Sequence, residues 1–347
     1  MCSPFTPMSK NKKKTTTWRI KASIKRISRQ TLLMVLTVAI TVMITGYIAL
    51  LLVLKGPSPT VSDMVVSTMW ETRRGKAIIN ALFTDEEIEQ ILAQNSVGTP
   101  QQAEVTDEDN TEWVIPEDEK DDIQIIDIHG GTYSGKLMIV RDPNRIVLGI
   151  NSEMGETASG YSVLDYVNYY GAVAGINAGG FQDENNQGDG SIPQQVVIKN
   201  GEVVYGSEDD YPCLIGFNKE KHLIAGYMTA SQALEWGITD AVSFGPPLVA
   251  DGHAYPQTGA GGGLNPRTVI GQTADGSILL LVIDGRQPDS IGATYQDCTD
   301  IMLEYGAITA ANLDGGSSSV MVYNEEIINS VVSMNGDRSV PTAWLVK

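Results

Sequence analysis

The sequence predicts an α+β protein whose C-terminal two thirds form one domain of short strands and few helices. From Ile123 onward, short runs of alternating apolar and polar residues are separated by turn signals, a pattern typical of half-buried strands. Only a few intervening stretches have helical spacing, and strands and helices do not alternate regularly, which argues against a βα barrel. A domain covering residues 123–347 is long enough to bury a substantial core.

Within this domain the turn signals separate the predicted elements. We expect strands at residues 123–128, 135–140, 145–150, 172–176, 195–199, 202–205, 214–218, 241–244, 268–272, 278–284, 308–313 and 343–347. We expect helices at residues 161–170, 231–236 and 296–305. Asn200-Gly201 predicts a tight hairpin, a second hairpin turns at Ala274-Asp275-Gly276, and the glycine-rich residues 259–263 predict a mobile loop.

The charge is distributed unevenly along the chain. The formal net charge is −18, yet residues 1–54 contain nine of the 24 Lys and Arg residues and no Asp or Glu. The remaining chain therefore carries all 42 acidic residues against only 15 basic ones. This acidity argues against a nucleic acid as partner, because phosphate backbones bind to basic surfaces. An anionic substrate must instead meet a local arginine or a glycine-rich turn.

Residues 32–54 form an uncharged, mostly apolar stretch of 23 residues. That length suffices for a helix that spans a bilayer with some tilt. The basic residues before it predict a cytoplasmic N-terminus and an external C-terminal body, in a cell-surface setting of bacterial type. A cleaved signal peptide is the alternative, but its apolar core would be shorter, and no clear small-residue cleavage site precedes Lys55. We favour a single-pass anchor in the cell membrane.

Five regions follow from these observations. Residues 1–31 are predicted to be a basic cytoplasmic tail, 32–54 a transmembrane helix, 55–94 a helical stalk, 95–122 an extended acidic linker and 123–347 the outer domain. Within the stalk, Thr84 and Glu87 form a capping box at the start of a helix.

Cysteine and histidine usage offers little for metal binding or oxidation chemistry. Cys213 and Cys298 lie in the external part and could form a disulfide, but each has apolar neighbours typical of a buried free thiol. The three histidines lack the spacing of a zinc site. Residues 183–194 partly match a calcium-binding loop, although the twelfth position is Gln194 instead of a bidentate Glu. We therefore expect no cofactor and no metal, with calcium as the remaining alternative.

Several buried strands end abruptly in a polar residue followed by small residues. These strand ends carry Asn177 before Gly179-Gly180, Asp284 before Gly285, and Asn312-Leu313-Asp314 before Gly315-Gly316. Polar groups at strand ends beside glycines are typical of sites built on a sheet, although an Asp there can also merely cap a turn. Arg267 begins an apolar hairpin strand, where it is either an ion-pair partner or an anion clamp.

Four motifs occur in an order that resembles a known family. They are INAGGF, NPRTVIGQTADGSILLLVIDGRQ, GAITAANLDGGSSSVMV and INSVVSMNGDRSVPTAWLVK, and together they resemble the phosphodiester glycosidase domain over residues 123–347. The family motifs usually read Asn-Gly-Gly-Phe-Phe and Asp-Gly-Gly-Gly-Ser, so Ala178 and Ser317 are departures. The resemblance implies stacked mixed or antiparallel sheets with helices outside, and cleavage of a sugar-1-phosphodiester such as a GlcNAc-1-phosphodiester unit of a surface glycopolymer.

The chemistry of such a substrate matches the residues at the strand ends. The leaving phosphate is already a weak base, so cleavage of the sugar C1–O bond needs cations for the phosphate and a carboxylate for the sugar carbon or a water. We assign Asp284 and Asp314 as candidate nucleophile or base and Arg267 as phosphate clamp. The candidate substrate-binding residues are Asn177, Gly179, Gly180, Asn312, Gly315, Gly316, Ser317 and Ser318.

Three other functions remain open from the sequence. The Ser317–Ser319 run invites a serine-hydrolase interpretation, but the G-x-S-x-G elbow is missing and no histidine is placed to act as base. A non-catalytic module that binds cell-wall phosphoglycans would use the same pocket. A transferase would move the sugar to another acceptor.

Overall fold

The computed structural model describes residues 11–95, 102–103, 112–151, 153–155, 159–182, 189–332 and 337–347, with side chains described from residue 29 onward. Two units separate within the chain, Met1–Ser62 and Asp63–Lys347. Half of the predicted calcium-binding loop, residues 183–188, lies outside the described residues, as does half of the predicted acidic linker, residues 96–101 and 104–111. Residues 112–122 lie within the description and form an extended stretch that ends in turns before the first strand.

The first unit contains the long helix α1 (Asn11–Leu54). Its section Arg29–Leu54 has a mean hydropathy of 2.4 and is long and apolar enough to cross a membrane. The hydroxyls of Thr37 and Thr41 donate to the carbonyls of Leu33 and Thr37, each at 2.9 Å. These bonds within the helix satisfy the polar groups that interrupt the apolar stretch.

Three helices precede the sheets: α2 (Pro59–Trp70), α3 (Arg73–Leu82) and α4 (Asp85–Gln94). The predicted capping box is present at the start of α4, where Thr84 accepts from the Glu87 amide and Glu87 accepts from the Thr84 amide. From Asp63 onward these helices belong to the same compact unit as the sheets. The compact unit therefore begins 60 residues before the predicted domain start at residue 123, which stays a prediction.

Seventeen strands in the described residues form three sheets. The strands are β1 (Ile123–His129), β2 (Ser134–Val140), β3 (Ile146–Ile150), β4 (Ala174–Asn177), β5 (Val197–Lys199), β6 (Glu202–Tyr205), β7 (Cys213–Asn218), β8 (Leu223–Tyr227), β9 (Ile238–Ser243), β10 (Pro247–Ala250), β11 (His253–Ala254), β12 (Arg267–Thr273), β13 (Ile278–Ile283), β14 (Ala307–Leu313), β15 (Met321–Tyr323), β16 (Glu326–Ile327) and β17 (Thr342–Val346). The sheet orders are β1-β2-β13-β12-β14-β10-β11, β16-β15-β4-β17-β3 and β6-β5-β9-β7-β8. Every pairing between these strands is antiparallel.

One face of each sheet contributes to a shared core. Leu280 from the seven-stranded sheet, Trp344 from the second sheet and Phe217 from the third belong to the same buried cluster. The rings of Phe217 and Trp344 meet edge to face at 5.2 Å. Because side chains alternate along a strand, the neighbours Leu281 and Leu345 point into other clusters.

A helix covers the outer face of each sheet. The helix α5 (Val163–Tyr170) packs on the sheet of β4 and β17, α6 (Ala230–Glu235) on the sheet of β9, and α7 (Tyr295–Glu304) on β10, β12 and β14. Capping boxes begin all three helices, at Ser162, Thr229 and Thr294. The α+β fold with stacked sheets and flanking helices is thus confirmed.

The glycine-rich segment 259–263 contacts the helices that precede the sheets. The Ala260 amide donates to Asn95 Oδ1 and the Gly262 amide donates to the Asn95 carbonyl. Gly263 has φ +70°, and a Cβ there would lie 2.5 Å from the Thr68 amide nitrogen. The segment that the sequence predicted to be a mobile loop therefore lies against the preceding helices, and only glycine fits the approach.

Cys213 and Cys298 are buried free thiols, as their apolar neighbours indicated. Burial raises the pKa of each thiol to about 12. Both side chains are therefore protonated and act as small apolar groups of the core.

Candidate active site at the end of strand β14

The turn after β14 is fixed from both sides by backbone bonds. The Asp314 amide donates to the Ala178 carbonyl and the Gly316 amide donates to the Pro266 carbonyl, each at 3.0 Å. Gly316 has φ +64°, and a Cβ there would lie 3.3 Å from the Arg286 guanidinium. Glycine at position 316 thus allows the Arg286 guanidinium to lie close to the backbone of the turn.

A polar cavity of about 260 Å³ opens beside this turn. Residues from several separate segments line it, including the corner between α2 and α3, the start of β12 and the segment after β13. The lining residues are Glu71, Phe181, Phe244, Gly245, Asn265, Arg267, Arg286, Tyr295, Asn312, Asp314, Gly315, Gly316, Ser317, Ser318 and Arg338.

Three arginines line the cavity. Arg267 is buried, its Nε donates to the Ala293 carbonyl at 3.1 Å, and its Nη2 donates to the carbonyls of Gly262 and Gly263 at 2.9 and 3.0 Å. Its guanidinium also lies 4.1 Å from the centre of the Tyr295 ring. These contacts fix the plane of the guanidinium at the cavity wall.

Arg286 reaches the same cavity from the segment after β13. Its Nη2 donates to Asn265 Oδ1 at 3.1 Å and to the Glu71 carbonyl at 3.2 Å, and its buried Nε has no hydrogen-bond partner. Burial lowers the pKa of this guanidinium, while Glu71 and Asp314 raise it and Arg267 lowers it. The guanidinium therefore lies within the electrostatic reach of two carboxylates and another cation.

Arg338 supplies the third cation, from the segment before β17. Its guanidinium lies 4.6 Å from the centre of the Phe181 ring, and its Nη1 donates to Ser317 Oγ at 3.4 Å. Its place beside Ser317 puts a positive charge next to the turn after β14.

Asp314 and Asn312 flank the end of β14. Asp314 Oδ1 accepts from the Gly315 amide at 2.9 Å. Asn312 Nδ2 donates to the Gly245 carbonyl at 2.8 Å, while its buried Oδ1 has no hydrogen-bond partner. A buried amide oxygen without a partner is costly, which marks this wall as a place for a ligand's hydroxyl or amide donor.

Seven of the predicted site residues come together at this cavity. They are Arg267, Asn312, Asp314, Gly315, Gly316, Ser317 and Ser318. Backbone carbonyls anchor the Arg267 guanidinium, which also lines the cavity. Its function as an anion clamp stays a prediction.

Asn177 lies behind the cavity wall, not at its surface. Its Nδ2 donates to the Asp314 carbonyl at 2.6 Å, and its Oδ1 accepts from Thr268 Oγ1 at 2.8 Å and from the Val320 amide at 3.2 Å. The side chain is fully buried. It therefore links the ends of β4, β12 and β14 instead of facing a substrate.

The amides of Gly179 and Gly180 are also bonded within the protein. Gly179 donates to Thr342 Oγ1 at 3.0 Å and Gly180 donates to the Ser243 carbonyl at 3.2 Å. A Cβ at Gly180 would lie 2.6 Å from the Phe244 ring. The amides of these two predicted substrate-binding residues are therefore already bonded to the protein, and the glycines allow close packing instead.

Asp284 does not line the cavity. Its Oδ1 accepts from Asn329 Nδ2 at 3.0 Å and from the Ser330 amide at 2.9 Å. Asn329 in turn donates to the Ser319 carbonyl and accepts from the Met321 amide. Burial raises the pKa of the Asp284 carboxyl, and the bonds from Asn329 and Ser330 oppose that shift. Asp284 thus supports the wall from behind.

Several residues that line the cavity were not predicted from the sequence. Arg286 follows the Asp284-Gly285 motif and Arg338 lies in the fourth motif, so a search for arginines near strand ends would have found both. Glu71 lies in the corner between α2 and α3, and the sequence around it contains no motif that predicts a place in the cavity. Tyr295 and Phe244 are aromatic residues whose spacing indicates only core packing.

The fold and the cavity define an α+β protein with a small, arginine-lined site at the ends of its strands. The family model for phosphodiester glycosidases matches residues 170–347. The chain belongs to this family, and the resemblance recognised in the motifs is thereby confirmed.

Two similar proteins place the chain among known sequences and structures. An uncharacterized protein derived from the SPbeta prophage of Bacillus subtilis (strain 168), YomE, is 29% identical over 188 residues, which cover 50% of this chain and 28% of that protein. The chain thus spans little more than a quarter of that relative.

The zebrafish N-acetylglucosamine-1-phosphodiester alpha-N-acetylglucosaminidase catalytic domain, auto-inhibited by its pro-peptide, has a similar fold. The TM-score is 0.52 at 21% identity, over 65% of this chain and 82% of that one. At this identity the similarity concerns the fold alone.

Proposed function

We propose that this protein is a membrane-anchored, outward-facing glycosidase that hydrolyses the C1–O bond of sugar-1-phosphodiesters. The observation that carries the proposal is that Arg267, Arg286 and Arg338 line one cavity together with the carboxylate of Asp314. Membership of the phosphodiester glycosidase family supports it. The substrate class is a phosphorylated glycan, such as GlcNAc-1-phosphodiester units of a surface glycopolymer.

The chemistry assigns different tasks to the cations and the carboxylate. The arginines bind the phosphate and stabilise the negative charge that grows on it as the C1–O bond breaks. Because the phosphate is already a weak base, the leaving oxygen needs little protonation. Asp314 then stabilises the positive charge on the sugar carbon or activates the attacking water.

The polar wall suits the sugar. Asn312 Oδ1 offers an acceptor to a hydroxyl or N-acetyl donor, and the Ser317 and Ser318 hydroxyls lie at the same wall. The cavity of about 260 Å³ is smaller than the roughly 300–1,000 Å³ typical of sites that enclose drug-sized ligands. We therefore infer that it encloses one sugar phosphate and leaves the rest of a polymer outside.

Helix α1 supports the proposed anchoring. Its apolar section Arg29–Leu54 follows a segment rich in lysine and arginine, which favours a cytoplasmic N-terminus. A tag at each terminus of the full chain tests this, with protease added to intact protoplasts. Loss of the C-terminal tag and survival of the N-terminal tag are expected. The reverse pattern, or release of the protein without its N-terminus, would contradict the anchored orientation.

The activity is tested on the purified unit Asp63–Lys347 with a methyl phosphodiester of GlcNAc-1-phosphate in heavy-oxygen water. We expect free GlcNAc that carries the heavy oxygen, because attack occurs at the sugar carbon. Heavy oxygen in the phosphate would instead indicate cleavage of the P–O bond. Asp314→Asn is the variant expected to lose most of the activity, and Asp284→Asn is its matched control with the same change of charge.

The assay also distinguishes the alternative functions. If no sugar is released from a panel of sugar-1-phosphodiesters while the fold remains intact, the hydrolase proposal fails. Binding of the same diesters without turnover would favour a phosphoglycan-binding module. Sugar transfer to an added acceptor, in place of release into water, would favour a transferase.

A further inference from the structure

Among the described residues that line the cavity, Glu71 is the one that precedes the first strand. It lies in the corner between α2, which ends at Trp70, and α3, which begins at Arg73. The family match covers residues 170–347 only, so this part of the cavity lies outside it.

Hydrogen bonds hold this corner against the cavity. Thr68 Oγ1 accepts from the Leu264 amide at 2.9 Å, and the Glu71 carbonyl accepts from Arg286 Nη2 at 3.2 Å. Thr72 caps α3 by accepting from the Gly75 amide at 3.0 Å. The backbone of Glu71 is therefore fixed beside a guanidinium, and the exposed residue is one of those that line the cavity. Its negative charge raises the pKa of Arg286.

The formal charges of the lining residues nearly cancel. Three arginines face two carboxylates, Asp314 and Glu71, and burial raises the pKa of Tyr295, which stays neutral. The lining residues thus have one formal positive charge in excess. A phosphodiester carries one negative charge, whereas a phosphate monoester carries about 1.5 to 2 at neutral pH.

We propose that Glu71 is a specificity-determining residue that makes the cavity favour a singly charged phosphodiester over a doubly charged phosphate monoester. The inference rests on the proposed function, because it names the charge state of the phosphate that this cavity accepts. Without Glu71 the excess of positive charge would match a dianion. With it, a sugar-1-phosphate monoester is bound less tightly relative to the diester.

Two non-hydrolysable probes test this by calorimetry on the full chain in detergent. One is the C-glycosyl methylphosphonate of GlcNAc, a dianion at sufficiently high pH, and the other is its monomethyl ester, a monoanion. The interaction energy between Glu71 and a ligand scales with the charge of the ligand. Glu71→Gln should therefore tighten binding of the dianionic phosphonate about fourfold and binding of its monoanionic methyl ester only about twofold. These changes are modest because water screens an exposed carboxylate.

Control variants separate the charge of Glu71 from other effects. Glu71→Asp keeps the charge and should leave both affinities unchanged. Glu89→Gln removes an exposed charge on α4, away from the lining residues, and should also change neither affinity. Equal tightening of both probes by Glu71→Gln, or no change in either, would overturn the inference.

Failure of this inference is distinguishable from failure of the proposed function. If the diester is hydrolysed but Glu71→Gln does not discriminate between the probes, only the role of Glu71 is refuted. If the probes show the expected discrimination and no substrate is hydrolysed, the hydrolase proposal fails and the charge selectivity stands. If neither probe binds to the unchanged chain, the inference falls as well.

Discussion

At the residue scale, two aspartates that look alike in sequence have different surroundings. Asp314 and Asp284 each end a buried strand and precede a glycine. Asp314 lines the arginine-rich cavity, whereas Asp284 accepts from Asn329 and Ser330 behind the wall. We therefore propose Asp314 as the reacting carboxylate and Asp284 as a positioning residue.

Replacement of each aspartate by asparagine tests this assignment. We expect Asp314→Asn to lower kcat/KM for a sugar-1-phosphodiester by about a hundredfold to ten-thousandfold, the usual contribution of a general acid or base. Asp284→Asn should stay within about fivefold, because its Oδ1 still accepts both hydrogen bonds. A larger loss for Asp284→Asn than for Asp314→Asn, with both proteins folded, would reverse the roles.

The pH dependence of stability provides a second test of Asp284. Burial raises the pKa of this carboxyl above its ordinary value of 3.8, so the folded state binds the proton more tightly than the unfolded state. Proton binding by Asp284 therefore increases the free energy of unfolding at low pH. This stabilisation is lost as the pH rises from 3.8 through the raised pKa of the folded state. Asp284→Asn removes the effect.

Urea unfolding of both proteins at about pH 4 and about pH 7 measures this difference. We expect the variant to gain stability relative to the unchanged protein as the pH rises. A relative loss with rising pH would mean that Asp284 is stabilised as a carboxylate.

At the scale of elements, the segment 259–263 connects the first helices to Arg267. Asn95, at the end of α4, accepts from the Ala260 amide through Oδ1 and from the Gly262 amide through its carbonyl. The carbonyls of Gly262 and Gly263 then accept from Arg267 Nη2. A continuous set of hydrogen bonds thus runs from α4 to a cation of the cavity.

Loss of the Asn95 side chain should disturb this set of bonds. We expect Asn95→Ala to cost about 1–3 kcal/mol of stability, because the buried Ala260 amide loses its acceptor. The looser placement of Arg267 should appear mainly as a higher KM, by about three- to tenfold, since Arg267 binds the phosphate. Steady-state kinetics and thermal unfolding measure both effects.

Asn80→Ala is the matched control, because Asn80 is exposed on α3. It should leave KM and the melting temperature close to those of the unchanged protein. A KM unaffected by Asn95→Ala would show that the glycine segment does not position Arg267.

At the scale of the whole molecule, the sheets and the helices from Asp63 onward form one compact unit. Helices α2, α3 and α4 bury Val66, Ile79 and Ile88 within it. Glu71 from this region lines the cavity. The compact unit and the lining of the cavity therefore extend beyond the part of the chain that carries the family motifs.

Comparison of two soluble fragments tests this extent. The unit Asp63–Lys347 should unfold in one cooperative transition and bind the phosphonate probes. A fragment of residues 123–347 exposes the surface that the helices cover and should melt at a lower temperature, by about 5 °C or more, with weaker binding. Equal melting temperatures and affinities would show that the helices are dispensable.

Local sequence signals predicted much of the fold and part of the site. Alternating apolar residues predicted twelve of the seventeen described strands and missed β8, β10, β11, β15 and β16. The Thr84–Glu87 pair predicted the start of α4, and the polar strand end of β14 predicted one wall of the cavity. These features depend on residues that are close together along the chain, so they can be recognised in the sequence. The apolar stretch before residue 55 likewise predicted the helix Arg29–Leu54.

The sequence by itself thus determined the α+β class, the apolar N-terminal helix and the family, and it singled out the turn around Asp314 that lines the cavity. Only the tertiary structure decided which polar strand ends meet at the cavity. Asn177 and Asp284 carry the same local signal as Asp314, yet their side chains are bonded to the protein behind the wall. Glu71 and Arg338 reach the cavity from distant segments. The physical reason is that a site forms where strands from different parts of the chain are brought together, and long-range packing, not local pattern, fixes which side chains face the open space.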